Sequence, residues 1–215
     1  MFTGLIEGVG EVRSVAPSGS LGGGALVVDL GELADDCRLG DSIAINGACL
    51  TVMRLDGTLA SFGLSAETLA TSTLAQLRPR VKVNVERAMK ATDRFGGHIV
   101  QGHVDGIGAI RAINRQGEFA DIEFGVDGAL LDQMVAKGSV AIDGVSLTIA
   151  KLDPEGFRVA AIPETLARTT LGGARIGQQV NIEIDIIVKV VRRQLERIMP
   201  GGPGLTVERL KQMGF

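Results

Sequence analysis

The sequence predicts an all-β chain of two similar domains, each a barrel or sandwich of short strands, followed by one amphipathic helix. Three observations carry this. Residues 42–52 read SIAINGACLTV and residues 139–149 read SVAIDGVSLTI, at an offset of 143 − 46 = 97 positions. Most segments alternate, or run apolar, over five to eight residues before breaking at Gly, Asn or Asp, the pattern of many short strands. After Asp185 the hydrophobic period changes from two to that of a helix. A repeat this long exceeds the roughly 20–50 residues of solenoid and propeller units, and each copy is large enough to hold its own core.

In chain order, Gly8-Val9-Gly10 answers Gly106-Ile107-Gly108 at an offset of 98. The Gly/Ser-rich stretch Pro17–Gly24 is an exposed hairpin tip. Strands are expected at Ala25–Leu30, Ser42–Ile45, Cys49–Leu55, Leu59–Leu64 and Val81–Val85. Their counterparts are Ala120–Phe124, Val140–Ile142, Ser146–Leu152, Phe157–Ile162 and Gln179–Ile184. Asn46-Gly47 and Asp143-Gly144, each between strand-like runs, are dipeptides that tolerate φ > 0 in tight hairpin turns. Glu67-Thr68-Leu69-Ala70 falls on Glu164-Thr165-Leu166-Ala167, and Val83-Asn84-Val85-Glu86 on Val180-Asn181-Ile182-Glu183. Short helices are expected near Ala70–Leu77 and Leu130–Lys137. Strand patterning stops near Ala88–Gly97, which divides the chain into 1–97, 98–185 and 186–215. In the last part Ile186, Ile187, Val190, Val191, Leu195 and Ile198 share one helix face, so that helix needs a partner surface. Pro200-Gly201-Gly202-Pro203 ends it, and Thr206 with Glu208 begins a short polar helix.

The 215 residues are 45% hydrophobic and 22% charged, which is the balance of a globular protein. A net charge of −3 leaves no footprint for a phosphate backbone, and the absence of Trp and Tyr removes stacking platforms, so nucleic acid is a poor partner. The first residues lack the basic and long apolar regions of a signal peptide, and no run reaches the ~20 apolar residues of a membrane span. Cys37 and Cys49 make no disulfide framework and suit a reducing cytoplasm. His98 and His103 are the only histidines and have no metal-ligand spacing, so no zinc is expected.

The repeated hairpin sets Cys49 equivalent to Ser146, with Thr51 and Thr148 two residues on and therefore on the same strand face. Such groups can hydrogen-bond the edge of a heterocycle; equally, the threonines suit an ordinary strand and Cys49 a small buried hydrophobe. Glu67-Thr68 and Glu164-Thr165 fit either a binding site or a helix cap. His103 breaks the repeat, because its counterpart is Leu5, and Asp185 stands where the first half has Ala88. A histidine in one copy only is a satisfied surface residue or the group that distinguishes two pockets.

Five ordered motifs carry a family resemblance: Met1-Phe2-Thr3-Gly4-Leu5-Ile6-Glu7, Asn46-Gly47-x-Cys49-Leu50-Thr51, Gly96-Gly97-His98-x3-Gly102-His103, Ile142-Asp143-Gly144-x-Ser146-Leu147-Thr148 and Ile162-Pro163-Glu164-Thr165-Leu166. Over residues 1 to 190 the chain resembles the alpha-chain type of riboflavin synthase. The resemblance implies two six-stranded Greek-key barrels, a C-terminal helix and a homotrimer held largely by those helices; it also allows association with lumazine synthase. It implies a dismutation in which one 6,7-dimethyl-8-ribityllumazine gives a four-carbon unit to another, yielding riboflavin and 5-amino-6-(ribitylamino)uracil, with no metal or redox cofactor. The substrate pair would form between the N-terminal barrel of one subunit and the C-terminal barrel of its neighbour.

By the same resemblance, Gly4, Leu5, Ile6, Ala48, Cys49, Leu50, Gly63, Leu64, Ser65, Ala66, Glu67 and Thr68 would line the N-terminal site. Gly102, His103, Lys137, Ser146, Leu147, Thr148, Ile162, Pro163, Glu164, Thr165 and Leu166 would line the C-terminal one. Cys49 or an adjacent water would act at the acceptor, assisted by Ser42; Ser146, Thr148 and His103 would orient groups or accept protons at the donor, supported by Asp185. Ala48 departs from relatives with a second thiol there, which leaves Cys49 as the lone candidate. The competing expectation is a non-enzymatic lumazine or flavin carrier on the same duplicated barrel. A flavin reductase would need a Gly-rich nicotinamide-binding turn, which the sequence lacks.

Overall fold

Two closed antiparallel barrels of six strands each follow one another along the chain. The structure, a computed structural model, describes residues 1–17 and 23–198. Most of the expected hairpin tip after Pro17, the Pro200–Pro203 stop and the helix expected at Thr206–Glu208 lie outside the described residues. The first barrel contains β1 (Gly8–Pro17), β2 (Gly24–Asp29), β3 (Ser42–Ile45), β4 (Ala48–Asp56), β5 (Leu59–Leu64) and β6 (Lys82–Arg87), closed in the order β1-β2-β5-β4-β3-β6. The second contains β7 (Gly106–Gln116), β8 (Phe119–Gly125), β9 (Ser139–Ile142), β10 (Val145–Asp153), β11 (Gly156–Ala161) and β12 (Gln179–Ile184), closed in the matching order β7-β8-β11-β10-β9-β12.

Alternate side chains fill each barrel. Leu26, Ile43, Val52, Phe62 and Val83 pack in the first, and Ile122, Phe124, Ile149, Phe157 and Val180 in the second. Each such side chain contributes about 1.5–3 kcal/mol on full burial. Register shifts at Val12/Ser14 and Val52/Arg54 recur at Ile110/Ala112 and Ile149/Lys151. Bulges at the same places in both copies bend the strands and let the sheets close.

The barrels meet tip to tip at the repeated hairpins. Asn46 and Asp143 have φ of 44° and 45°, and Gly47 and Gly144 of 77° and 80°, as primed hairpin turns require. A Cβ on Gly47 would lie 2.6 Å from the Gly144 nitrogen, so neither tip has room for a side chain. Four buried residues knit this seam. Asn84 donates its N–H to Asn46 Oδ1 (2.8 Å) and its side-chain amide to Asp143 O (2.9 Å). Asn181 mirrors it on Asp143 Oδ1 and Asn46 O (both 2.8 Å).

Two arms cross the seam. Phe2 and Val100 bridge them with N–H···O bonds of 2.8 and 3.2 Å, and both side chains pack with Ala44 and Ala141 in a third, smaller core.

The short helices differ from expectation at their ends. The one expected at Ala70–Leu77 is α1 (Ala66–Thr71) followed by a 3₁₀ turn at Thr73–Gln76, because Ser65 caps the start by accepting from Thr68 N–H at 3.0 Å. The one expected at Leu130–Lys137 shrinks to α2 (Gly128–Leu131), capped by Asp127, and the chain leaves helical geometry by Lys137 at φ 67°. In the second half α3 (Pro163–Arg168) matches α1. The helix after Asp185 is α4 (Ile186–Ile198), with Ile187, Val190, Val191, Leu195 and Ile198 exposed.

Candidate functional site: the outer faces of the repeated hairpins

In the β3-β4 hairpin Ser42 pairs with Thr51 and Ala44 with Cys49, so strand alternation turns all four outward while Ile43, Ala48, Leu50 and Val52 join the core. Cys49 is only partly buried, and its N–H donates to Gly102 O at 2.9 Å. Beside it lies a cavity of about 240 Å³ whose walls include Cys49, Glu67, Thr68, Gly102 and His103. The Thr68 hydroxyl shares a 2.8 Å hydrogen bond with Ser65, so the cap and the cavity wall are one structure.

The second hairpin repeats this arrangement. Ser146 pairs with Ala141 and Thr148 with Ser139, and Ser146 N–H donates to Gly4 O at 2.8 Å. The arms are therefore exchanged relative to the sequence expectation. Gly102 and His103, expected at the C-terminal barrel, stand against Cys49 of the N-terminal barrel. Gly4, expected at the N-terminal barrel, stands against Ser146, and Ile6 packs on the C-terminal core. Leu5, the counterpart of His103, is half exposed.

Most of the remaining expected residues fall into three groups. Thr148, Ile162 and Glu164 are exposed, Glu164 pairing with Arg168; Pro163, Thr165 and Leu166 are half-buried, with Leu166 against the core. Gly63, Ser65, Ala66 and Glu67 are exposed at the mouth of α1, whereas Leu50 and Leu64 face the first core and Leu147 packs on the second. Ser42 is set apart from the Cys49 cavity. It lines a separate hollow of about 320 Å³ with Cys37 and Arg87, and its carbonyl accepts from Ala88 N–H at 3.0 Å.

Lys137 donates its N–H to Ile149 O at 2.8 Å and holds φ 67°, where the first copy has Gly40 at φ 88°. A lysine in a conformation that favours glycine costs about 1 kcal/mol. Asp185 Oδ1 accepts from Ile187 N–H at 2.9 Å and caps the start of α4.

One residue of the site was quoted in a motif but given no role. His98 Nδ1 lies 2.7 Å from Ser146 Oγ, while its Nε2 is buried with no hydrogen-bond partner among the described residues. Burial lowers its pKa, opposed by the charge of Asp185, so the ring is neutral near pH 7. A neutral imidazole bonded to a hydroxyl can take or return that hydroxyl's proton. The available signal was the change of residue type in the repeat, serine for Cys49; His98 lies 48 residues from Ser146 in the chain, so only the fold joins them. Among the described residues no group of three or more His, Cys, Asp and Glu is placed to hold a metal ion, and no helix is long and apolar enough to cross a membrane.

Two closed barrels whose repeated hairpins carry matched polar groups, Cys49 beside His103 in the first and Ser146 beside His98 in the second, define a duplicated β-barrel protein. The sequence matches the lumazine binding domain family twice, over residues 3–88 and 101–185. It is 39% identical to riboflavin synthase of Actinobacillus pleuropneumoniae and 38% identical to that of Bacillus subtilis (strain 168), in each case over 100% of both chains. The riboflavin synthase of Meyerozyma guilliermondii is 41% identical over 91% of this chain and 86% of its own. The chain belongs to the riboflavin synthase family. Its fold is also that of LumP complexed with 6,7-dimethyl-8-(1'-D-ribityl) lumazine, with a TM-score of 0.77 and 20% identity over 85% of this chain and 98% of that one.

Proposed function

We propose that the protein is a riboflavin synthase, a transferase that dismutates two molecules of 6,7-dimethyl-8-ribityllumazine into riboflavin and 5-amino-6-(ribitylamino)uracil. The observation that carries this is full-length similarity to riboflavin synthases together with two repeated hairpins that both keep polar groups on their outer faces. Donor and acceptor are the same compound, so two halves, 1–97 and 98–185, can each hold one copy by nearly the same contacts. Fixing the pair removes bimolecular entropy, which in well-oriented cases reaches roughly 7–11 kcal/mol.

The acceptor pocket is assigned to Cys49, where the thiol or a water beside it adds at C7 and His103 handles the proton. The donor pocket is assigned to Ser146, Thr148 and Lys137, with His98 as the base paired to Ser146. The Cys49 cavity, about 240 Å³, is smaller than the ~300–1,000 Å³ of a complete small-molecule site. A neighbouring subunit's second pocket would close it, and the exposed apolar face of α4 supplies the contact for a homotrimer. A cytoplasmic location and association with lumazine synthase follow from the family resemblance.

The test is incubation of the pure protein with 6,7-dimethyl-8-ribityllumazine alone. One riboflavin per uracil product supports the enzyme; tight binding without turnover supports a carrier instead.

A further inference from the structure

Two buried carboxylates take no part in anything assigned above. Glu183 on β12 is 3% exposed, and it accepts from Gln101 N–H through Oε1 (2.7 Å) and from Gly102 N–H through Oε2 (3.0 Å). Glu86 on β6, also 3% exposed, accepts from Thr3 N–H (2.6 Å), the Thr3 hydroxyl (2.8 Å) and Gly4 N–H (3.0 Å). Bonds of this kind to an ionised acceptor are roughly twice as strong as neutral ones.

Each carboxylate belongs to one barrel, while the residue it grips is bonded to the other. Gly102 O accepts from Cys49 N–H at 2.9 Å, and Gly4 O from Ser146 N–H at 2.8 Å. There is no slack on the far side. A Cβ on Gly102 would lie 2.4 Å from Cys49 Cβ, and one on Gly4 would lie 2.5 Å from Ser146 Cβ. The residue after Gly102 is His103; the residue before Gly4 is Thr3, whose carbonyl accepts from His98 N–H at 3.1 Å.

We propose that Glu183 and Glu86 are positioning residues acting across the seam: Glu183, in the second barrel, sets His103 over the first barrel's Cys49 pocket, and Glu86, in the first barrel, sets the Thr3–Gly4 arm against His98 and Ser146 in the second. Two diverging N–H donors need two acceptor oxygens. A glutamine offers only one and turns its NH₂ on the other main-chain N–H, so a carboxylate is kept even though burial raises both carboxyls. Lys189 and Asp105 also bear on Glu183, and Glu7 on Glu86, but neither set replaces these bonds. The effect on turnover rests on the function proposed above; the geometry does not.

The chain's two histidines, His98 and His103, report the two pockets separately, so imidazole ¹⁵N–¹H NMR of the full chain tests the crossing. Glu183→Gln is expected to move the His103 signals and leave those of His98, and Glu86→Gln to do the reverse. Turnover of 6,7-dimethyl-8-ribityllumazine falls about 10²-fold in each, as a displacement on the order of 1 Å at a reacting pair costs. Glu183→Asp keeps both oxygens on a shorter arm and falls between wild type and Glu183→Gln; it serves equally if the glutamine variant does not fold. Movement of both histidines alike, of the wrong one, or of neither overturns the proposal. The crossed pattern without turnover in any form, wild type included, keeps the proposal and removes the function instead.

Discussion

Asp143 fills in the second barrel the turn position that Asn46 fills in the first, and Asp143→Asn is expected to stabilise the protein at neutral pH. The side chain is 3% exposed, and burial raises its carboxyl from 3.8 to about 7, opposed by the hydrogen bond from Asn181 N–H. Between those values the folded chain holds a proton that the unfolded chain has lost, so stability falls as pH rises through this window. The cost is complete above about pH 7 and is relieved as pH falls toward 4. At about 1.36 kcal/mol per pH unit it amounts to about 4 kcal/mol. Asparagine removes the charge and keeps the needed acceptor, as Asn46 Oδ1 shows by accepting from Asn84 N–H at 2.8 Å. Equilibrium unfolding in urea at fixed protein concentration is the assay. The variant gains about 4 kcal/mol at pH 8, and the gain shrinks to about 2 kcal/mol at pH 5. Equal stability at pH 8, or a gain that ignores pH, refutes the reasoning.

Three further outcomes are expected. Cys49→Ser, which installs the residue that the second copy carries as Ser146, lowers kcat by about tenfold or more; a full rate would reduce the thiol to packing. Gly47→Ala drives a methyl into the opposite turn, 2.6 Å from Gly144 N, at φ 77°, and costs about 2–4 kcal/mol by denaturant unfolding; an unchanged midpoint would mean the turn tips part freely. Lys137→Gly relieves φ 67° and raises stability by about 1 kcal/mol, while lumazine affinity measured by fluorescence falls. Unchanged affinity would take Lys137 out of the site.

Much of the fold was legible because the repeated hairpin carries its own instructions. Leu59–Leu64 and Gln179–Ile184 fall where alternation puts them, and α4 begins where the period changes. The full lengths of β1 and β7 were hidden, since the register shifts at Val12/Ser14 and Ile110/Ala112 break the alternation that marks a strand. Helix ends were set by Ser65 and Asp127 caps rather than by apolar spacing.

The exchange of the arms was invisible for a different reason. Gly4 and Gly102 make equivalent contacts, so packing each arm on its own barrel or on the other leaves the same repeat in the sequence. Nothing in the pattern distinguishes the two arrangements. Cys49 and Ser146 were legible as equivalents, but the His103 neighbour of the first follows only from the crossing, and the His98 partner of the second only from the folded approach of residues 48 apart.

The central claim is that each chain offers two related lumazine pockets, and equilibrium titration of the pure protein with 6,7-dimethyl-8-ribityllumazine tests it most directly. Saturation at two ligands per chain is the predicted result. Saturation at one, with no further uptake at any ligand concentration, would contradict it.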